Sequence, residues 1–158
     1  MEIKPKYGFD KVHFGLTIAQ AKAILGEPEE VDADQNFSEE PDDLTTVLYY
    51  DGYSLSFDKK VDYRLTEMLF EDESFKLGKI AVGMAEEKAV ELAEGMDLGD
   101  WEDPFAEDST DDPDFAETTG YSFEESSLTL LCTNGQLTEI EIYVPLDEND
   151  NPIWPKAN

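Results

Sequence analysis

The residues able to do chemistry are few in kind and lopsided in number. The 158-residue chain holds a single His (His13), a single Cys (Cys132) and a single Arg (Arg64), against 39 carboxylates and a formal net charge of −28. One His and one Cys do not make a zinc site, and no Gly-rich phosphate loop of the required spacing is present. His13 sits in an apolar stretch and reads as structural. Cys132 alternates with Leu128 and Leu130 and reads as an inert thiol buried in a core. Carboxylates alone could run glycoside hydrolysis, which needs two of them about 5 to 10 Å apart, yet with 39 present such a pair is expected by chance. The chain therefore reads as a non-enzyme, with no catalytic residue, metal ligand or cofactor assigned.

What the carboxylates do offer is a field. At a pI near 4.1, the protein should repel nucleic acid and anionic membranes and attract a basic protein, whose encounter it would accelerate. The same excess also serves solubility or a salty habitat. A lone Cys suits a reducing compartment. The first residues, MEIKPKYGFD, carry no apolar core for secretion, and no apolar run approaches 18 residues. The expectation is a soluble, cytoplasmic protein of open oligomeric state.

Calcium is the rival ligand. The tail DENDNP, Asp147 to Pro152, resembles cadherin linkers, and oxygen ligands at this density suit a hard cation. The loop EDSTDDPD, Glu107 to Asp114, lacks the central Gly and terminal Glu of an EF-hand.

The elements that must position these carboxylates follow from a repeat. KVHFGL (Lys11 to Leu16) returns as KIAVGM (Lys79 to Met84), and LTEMLF (from Leu65) returns as LTEIEI (from Leu137). After the first lead-in, TIAQ forms a capping box at Thr17 and Gln20. Ile18, Ala21, Ile24 and Leu25 then make a helical stripe that stops at Gly26 and Pro28. The second helix, from Ala85 to Glu94, lacks the Thr cap and stops at Gly95. The acidic stretch from Glu27 to Asp43 reads as a solvated loop, and so does Asp97 to Glu117.

Each helix is followed by residues of period two. Thr46 to Tyr50 and Tyr53 to Phe57 flank Asp51-Gly52, and Tyr63 to Phe70 completes a first meander. Thr118 to Phe123, Ser127 to Cys132 and Leu137 to Val144 form a second, with Asn134-Gly135 as its last turn. The expected fold class is α+β: two tandem repeats of one helix followed by a three-stranded antiparallel meander, forming a sheet with helices on one face. The repeats span residues 1–76 and 77–146, with a tail at 147–158. Thr66, Met68, Phe70, Thr138, Ile140 and Ile142 should face the core. Glu67, Leu69, Glu71, Glu139, Glu141 and Tyr143 should face water, beside Ser54, Ser56, Ser127, Thr129 and Leu131.

GLTIAQAKAILGEP, through Gly15, Leu16, Thr17, Gly26 and Pro28, resembles the signature of small helix-then-sheet modules related to outer-membrane assembly lipoproteins of the SmpA/OmlA type. Written twice, the module resembles the beta-lactamase inhibitor protein family, which binds its enzyme across an open sheet. The resemblance implies a protein-binding sheet, and with the charge it implies an immunity or inhibitor protein that occludes a basic toxin such as a nuclease. The protein-binding candidates are Glu67, Leu69, Glu71, Glu139, Glu141 and Tyr143 on the sheet, with Trp101 and Phe105 as loop anchors. The alternatives are a scaffold module of unknown ligand and a calcium-binding protein using its acidic loops.

Overall fold

Helix formation begins at the capping box. Thr17 caps α1 (Ile18–Leu25): its hydroxyl accepts from the Gln20 N–H at 3.2 Å, and Gln20 Oε1 accepts from the Thr17 N–H at 2.9 Å. Two donors that the first turn leaves unpaired are thereby satisfied. α2 (Glu86–Glu94) has Ala85 in the capping position and no side-chain cap, but Glu86 and Glu87 place negative charge in its first turn, which the helix dipole favours. Ala21, Ala89 and Ala93 are buried against the core. Ile24, expected on the α1 stripe, is 40% exposed.

The helices are the minor component. The computed structural model describes residues 2–36, 44–101, 118–149 and 151–155, and among them it is mostly β, with twelve strands and two α-helices. Strands β1 (Ile3–Lys4), β2 (Gly8–Phe9) and β3 (Val12–His13) form a small antiparallel sheet at the N-terminal side. The main sheet has seven antiparallel strands: β4 (Glu30–Asn36), β5 (Leu44–Tyr50), β6 (Tyr53–Asp58), β7 (Arg64–Phe70), β10 (Thr118–Phe123), β11 (Leu128–Thr133) and β12 (Gln136–Tyr143). Between them in sequence, β8 (Lys76–Leu77) pairs with β9 (Ile80–Ala81). The spatial order is β10-β11-β12-β7-β6-β5-β4, so the strands of the first and second halves of the chain meet where β12 pairs with β7.

This overturns the expected α+β fold of two helix-plus-three-strand repeats. The first part of the chain supplies four strands to the sheet and the second three. The extra strand is β4, inside the stretch read as a solvated acidic loop. An edge strand pairs on one side only, so its carboxylates stay hydrated and discourage further pairing. Charge density that argues against a central strand does not argue against an edge.

Local devices do recur. Gly15 and Gly83 both have φ +99°, a conformation that favours glycine. Gly15 N–H donates to the Leu65 carbonyl (3.0 Å) and Leu65 N–H to that of Leu16 (2.8 Å). Likewise Gly83 N–H donates to Leu137 (2.7 Å) and Leu137 N–H to Met84 (2.9 Å). KVHFGL and KIAVGM thus dock in the same way onto the start of β7 and of β12. His13 belongs to this docking: its Nδ1 lies 2.9 Å from the Phe14 carbonyl, and its ring packs on Tyr7.

One face of the sheet is the core, where Leu48, Leu55, Phe57, Met68, Phe70, Leu128, Leu130, Cys132, Ile140 and Ile142 are fully buried. Phe9, Phe70 and Phe75 pack together with ring centroids 4.8 to 5.5 Å apart. Thr66 and Thr138, expected in this face, are displaced by β-bulges. Ser56 pairs with Glu67 and Phe57 with Leu65; Leu131 pairs with Glu139 and Cys132 with Leu137. The skipped residue is Thr in both cases, and Leu65 and Leu137 are buried instead. The Thr hydroxyls donate to the Ser56 carbonyl (3.4 Å) and the Leu131 carbonyl (3.1 Å). No helix among the described residues is long and apolar enough to cross a membrane.

Candidate functional site

The alternation that buries Met68 and Ile140 turns Glu67, Leu69, Glu71, Glu139, Glu141 and Tyr143 to the other face. Because β7 and β12 are neighbours, Tyr143 stands opposite Glu67 and Glu141 opposite Leu69. The six sheet candidates therefore form one patch at the centre of the open face. The rows continue outward: Glu30, Tyr49, Ser54, Leu69, Glu141, Thr129 and Ser122 pair in succession across all seven strands. Ser54, Ser56, Thr129 and Leu131 flank the patch as expected. Ser127 does not: it is 3% exposed and ends a 3-10 turn.

The carboxylates of this patch perturb one another. Burial pushes the Glu141 carboxyl up to about 8, helped by a hydrogen bond with Glu67 and by the charge on Glu67. Near neutral pH the two carboxyls thus hold a proton between them. Glu139 is also raised, first by burial and then by Glu71 and Glu141. Among the described residues the ion pairs Lys22–Glu27 and Lys88–Glu91 lie away from this face. Arg64 stands opposite Asp58 at its far end.

The patch is wider than the sequence indicated. Tyr49, opposite Glu30, is raised by burial, then by a hydrogen bond with Asp32 and the charges of Asp32, Glu30 and Glu71. Glu30, Asp32 and Tyr49 therefore extend the acidic face to β4. The signal was present as the alternation Glu30-Val31-Asp32, which the reading of the stretch as a loop passed over.

Trp101 lies elsewhere. Trp101 packs edge-on against Tyr121, ring centroids 4.7 Å apart. Tyr121 is buried and shares the core-side alternation of Phe123, so Trp101 is on the helix side, in a recess shared with Glu86, Val90 and Glu94. Phe105 lies outside the described residues. Cys132 is fully buried, its thiol pushed up to about 12 by burial and then by Glu86. In the tail, Asp147 Oδ1 accepts from the Asn149 and Asn151 N–H groups (2.8 and 3.0 Å). Among the described residues no three His, Cys, Asp or Glu side chains converge as a metal site. Asp150 and the loop Glu107 to Asp114 are outside them.

No protein-family model, no curated protein and no solved structure matches this chain.

Proposed function

We propose that the protein is a non-catalytic binding module whose open sheet face occludes a basic protein, as an immunity protein occludes a toxin. A nuclease domain fits this description of the partner, since a site that holds phosphate must be basic. The observation that supports this most directly is the Glu67–Glu141 pair. Two carboxyls are held together and partly desolvated in the middle of a face, where each would gain from a Lys or Arg. Leu69, Leu131 and Tyr143 lie among the carboxylates and supply the apolar contact that a protein interface needs at its centre. The same charge disfavours nucleic acid and anionic lipid as partners.

The test is capture from the native host on immobilised protein. The expected result is recovery of a basic protein through a complex that weakens steeply between about 50 and 300 mM salt, and that is lost in a Glu67→Gln/Glu139→Gln variant. Recovery of no basic protein, or of one indifferent to both salt and the double variant, would sink the reading. A toxin gene beside the coding sequence would support it independently.

A further inference from the structure

The ladder between β7 and β12 is short, pairing only Glu67–Phe70 with Ile140–Tyr143. Beyond Glu67 the strands part. β7 bulges at Thr66, β12 ends, and Val144 N–H makes a last contact with the Thr66 carbonyl (2.9 Å) before the chain reaches Pro145. On either side the meanders turn through 3-10 corners, Lys59–Val61 and Glu124–Ser126. Each corner is closed by a left-handed residue, Asp62 (φ 57°) and Ser127 (φ 50°). Between the corners lies an open groove of ≈ 830 Å³.

The lining has two characters. Val144, Pro145, Leu146 and Pro152 make it apolar on the tail side, and Val61 adds an apolar group from the first corner. Among the described residues, Asp58, Glu67 and Glu124 contribute carboxylates against Lys60 alone. The tail-side wall is built rather than loose. Leu146 bridges Pro152, Asp147 N–H donates to the Asn151 carbonyl (2.8 Å), and Ile153 N–H donates to that of Pro145 (2.7 Å). This turn holds Leu146 54% exposed at the groove. Glu67 and Tyr143 belong both to the groove and to the acidic face, so a chain lying on the face would run into the groove.

We propose that the groove receives an extended segment of a basic protein in which an aliphatic side chain is flanked by Lys or Arg. The aliphatic group would cover Leu146, and the flanking cations would meet Asp58, Glu67 and Glu124. The inference rests on the basic-partner reading and specifies how that partner is recognised: charge alone brings it to the face, while apolar contact in the groove fixes its register.

Three labelled hexapeptides test this against the intact chain by fluorescence anisotropy at low salt: alternating Lys-Leu, alternating Lys-Ser and alternating Glu-Leu. The Lys-Leu peptide is expected to bind about 10-fold or more tighter than Lys-Ser, the worth of burying part of a Leu side chain, and Glu-Leu not at all. Leu146→Ser should bring Lys-Leu binding down to the Lys-Ser level without a change in Tm. Glu124→Lys, at an exposed position, should weaken both lysine peptides. Amide shifts on titration should centre on Thr66, Val144 and Leu146. Equal, salt-sensitive binding of both lysine peptides would overturn the groove while leaving the acidic-face reading standing. Failure of both to bind, or unchanged Lys-Leu binding by Leu146→Ser, would also overturn the groove, and the capture experiment would then decide the broader reading by itself.

Discussion

The Glu141 and Glu67 carboxyls lie together across the seam where β12 meets β7, close enough to share a hydrogen bond that helps to raise Glu141. The contact exists because two strands far apart in sequence are adjacent in the sheet, each turning a glutamate to the same side. It holds only while one of the two carboxyls keeps its proton, so the seam is sensitive to pH.

The sign follows from the raised value. Unfolded, Glu141 titrates near the ordinary glutamate value of about 4.3; folded, it titrates at about 8. Its contribution to stability is complete below the unfolded value and is lost as pH rises through about 8. Wild type should therefore lose stability between pH 5 and pH 8.5 relative to Glu141→Gln, whose amide can donate to Glu67 without titrating. After allowance for solvent screening, the variant should be more stable by roughly 1 to 2 kcal/mol at pH 8.5 and equal at pH 5. Urea unfolding of both proteins at the two pH values measures it. A difference independent of pH would show that the Glu141 proton is not shared as described.

Gly15 and Gly83 offer a matched pair. Both sit at φ +99°, so an alanine at either is strained by about 1 to 2 kcal/mol. A Cβ at Gly83 would meet nothing within 4 Å, whereas one at Gly15 would come within 3.2 Å of the Trp154 ring. Gly15→Ala should therefore cost more than Gly83→Ala, and only Gly15→Ala should shift the tryptophan emission of the folded protein. Equal costs with unchanged emission would mean that Trp154 does not pack on the first lead-in.

The bulged threonines give a second comparison. Thr138 donates to the Leu131 carbonyl at 3.1 Å, and Thr66 to the Ser56 carbonyl at a longer 3.4 Å. Replacing either by Val keeps the shape and removes the hydroxyl. Thr138→Val is expected to cost about 1 kcal/mol, the ordinary worth of such a bond, and Thr66→Val about half of that. Equilibrium unfolding at fixed pH resolves the difference.

How far the sequence could be read depended on whether the deciding information was local. The Thr17 box, the Asn134-Gly135 turn and the alternation through Glu67 to Phe70 and Glu139 to Ile142 are local patterns, and each marks an element of the structure. The joining of β7 to β12, which makes one patch of the six sheet candidates, is a long-range pairing that no periodicity encodes. β4 was missed because net charge was weighed without knowing whether the strand was central or at an edge. The bulges shifted Thr66 and Thr138 off the core side because a single extra residue reverses the alternation. Trp101 could not be placed from sequence, because its packing depends on how the chain leaves α2 and meets Tyr121.

The shared proton also makes the binding proposal measurable through its linkage. A cation brought beside Glu141 favours the ionised form and lowers its pKa from about 8. Binding near pH 7 must then release protons, and affinity must rise as pH goes from 6 to 8. Octalysine is a suitable probe, since lysines stay charged throughout this range. Titration calorimetry in two buffers of different ionisation enthalpy should show release of roughly 0.3 to 0.9 protons per complex for wild type and close to none for Glu141→Gln. Equal release by the two proteins would place the titrating group elsewhere and remove the Glu67–Glu141 pair from the interface.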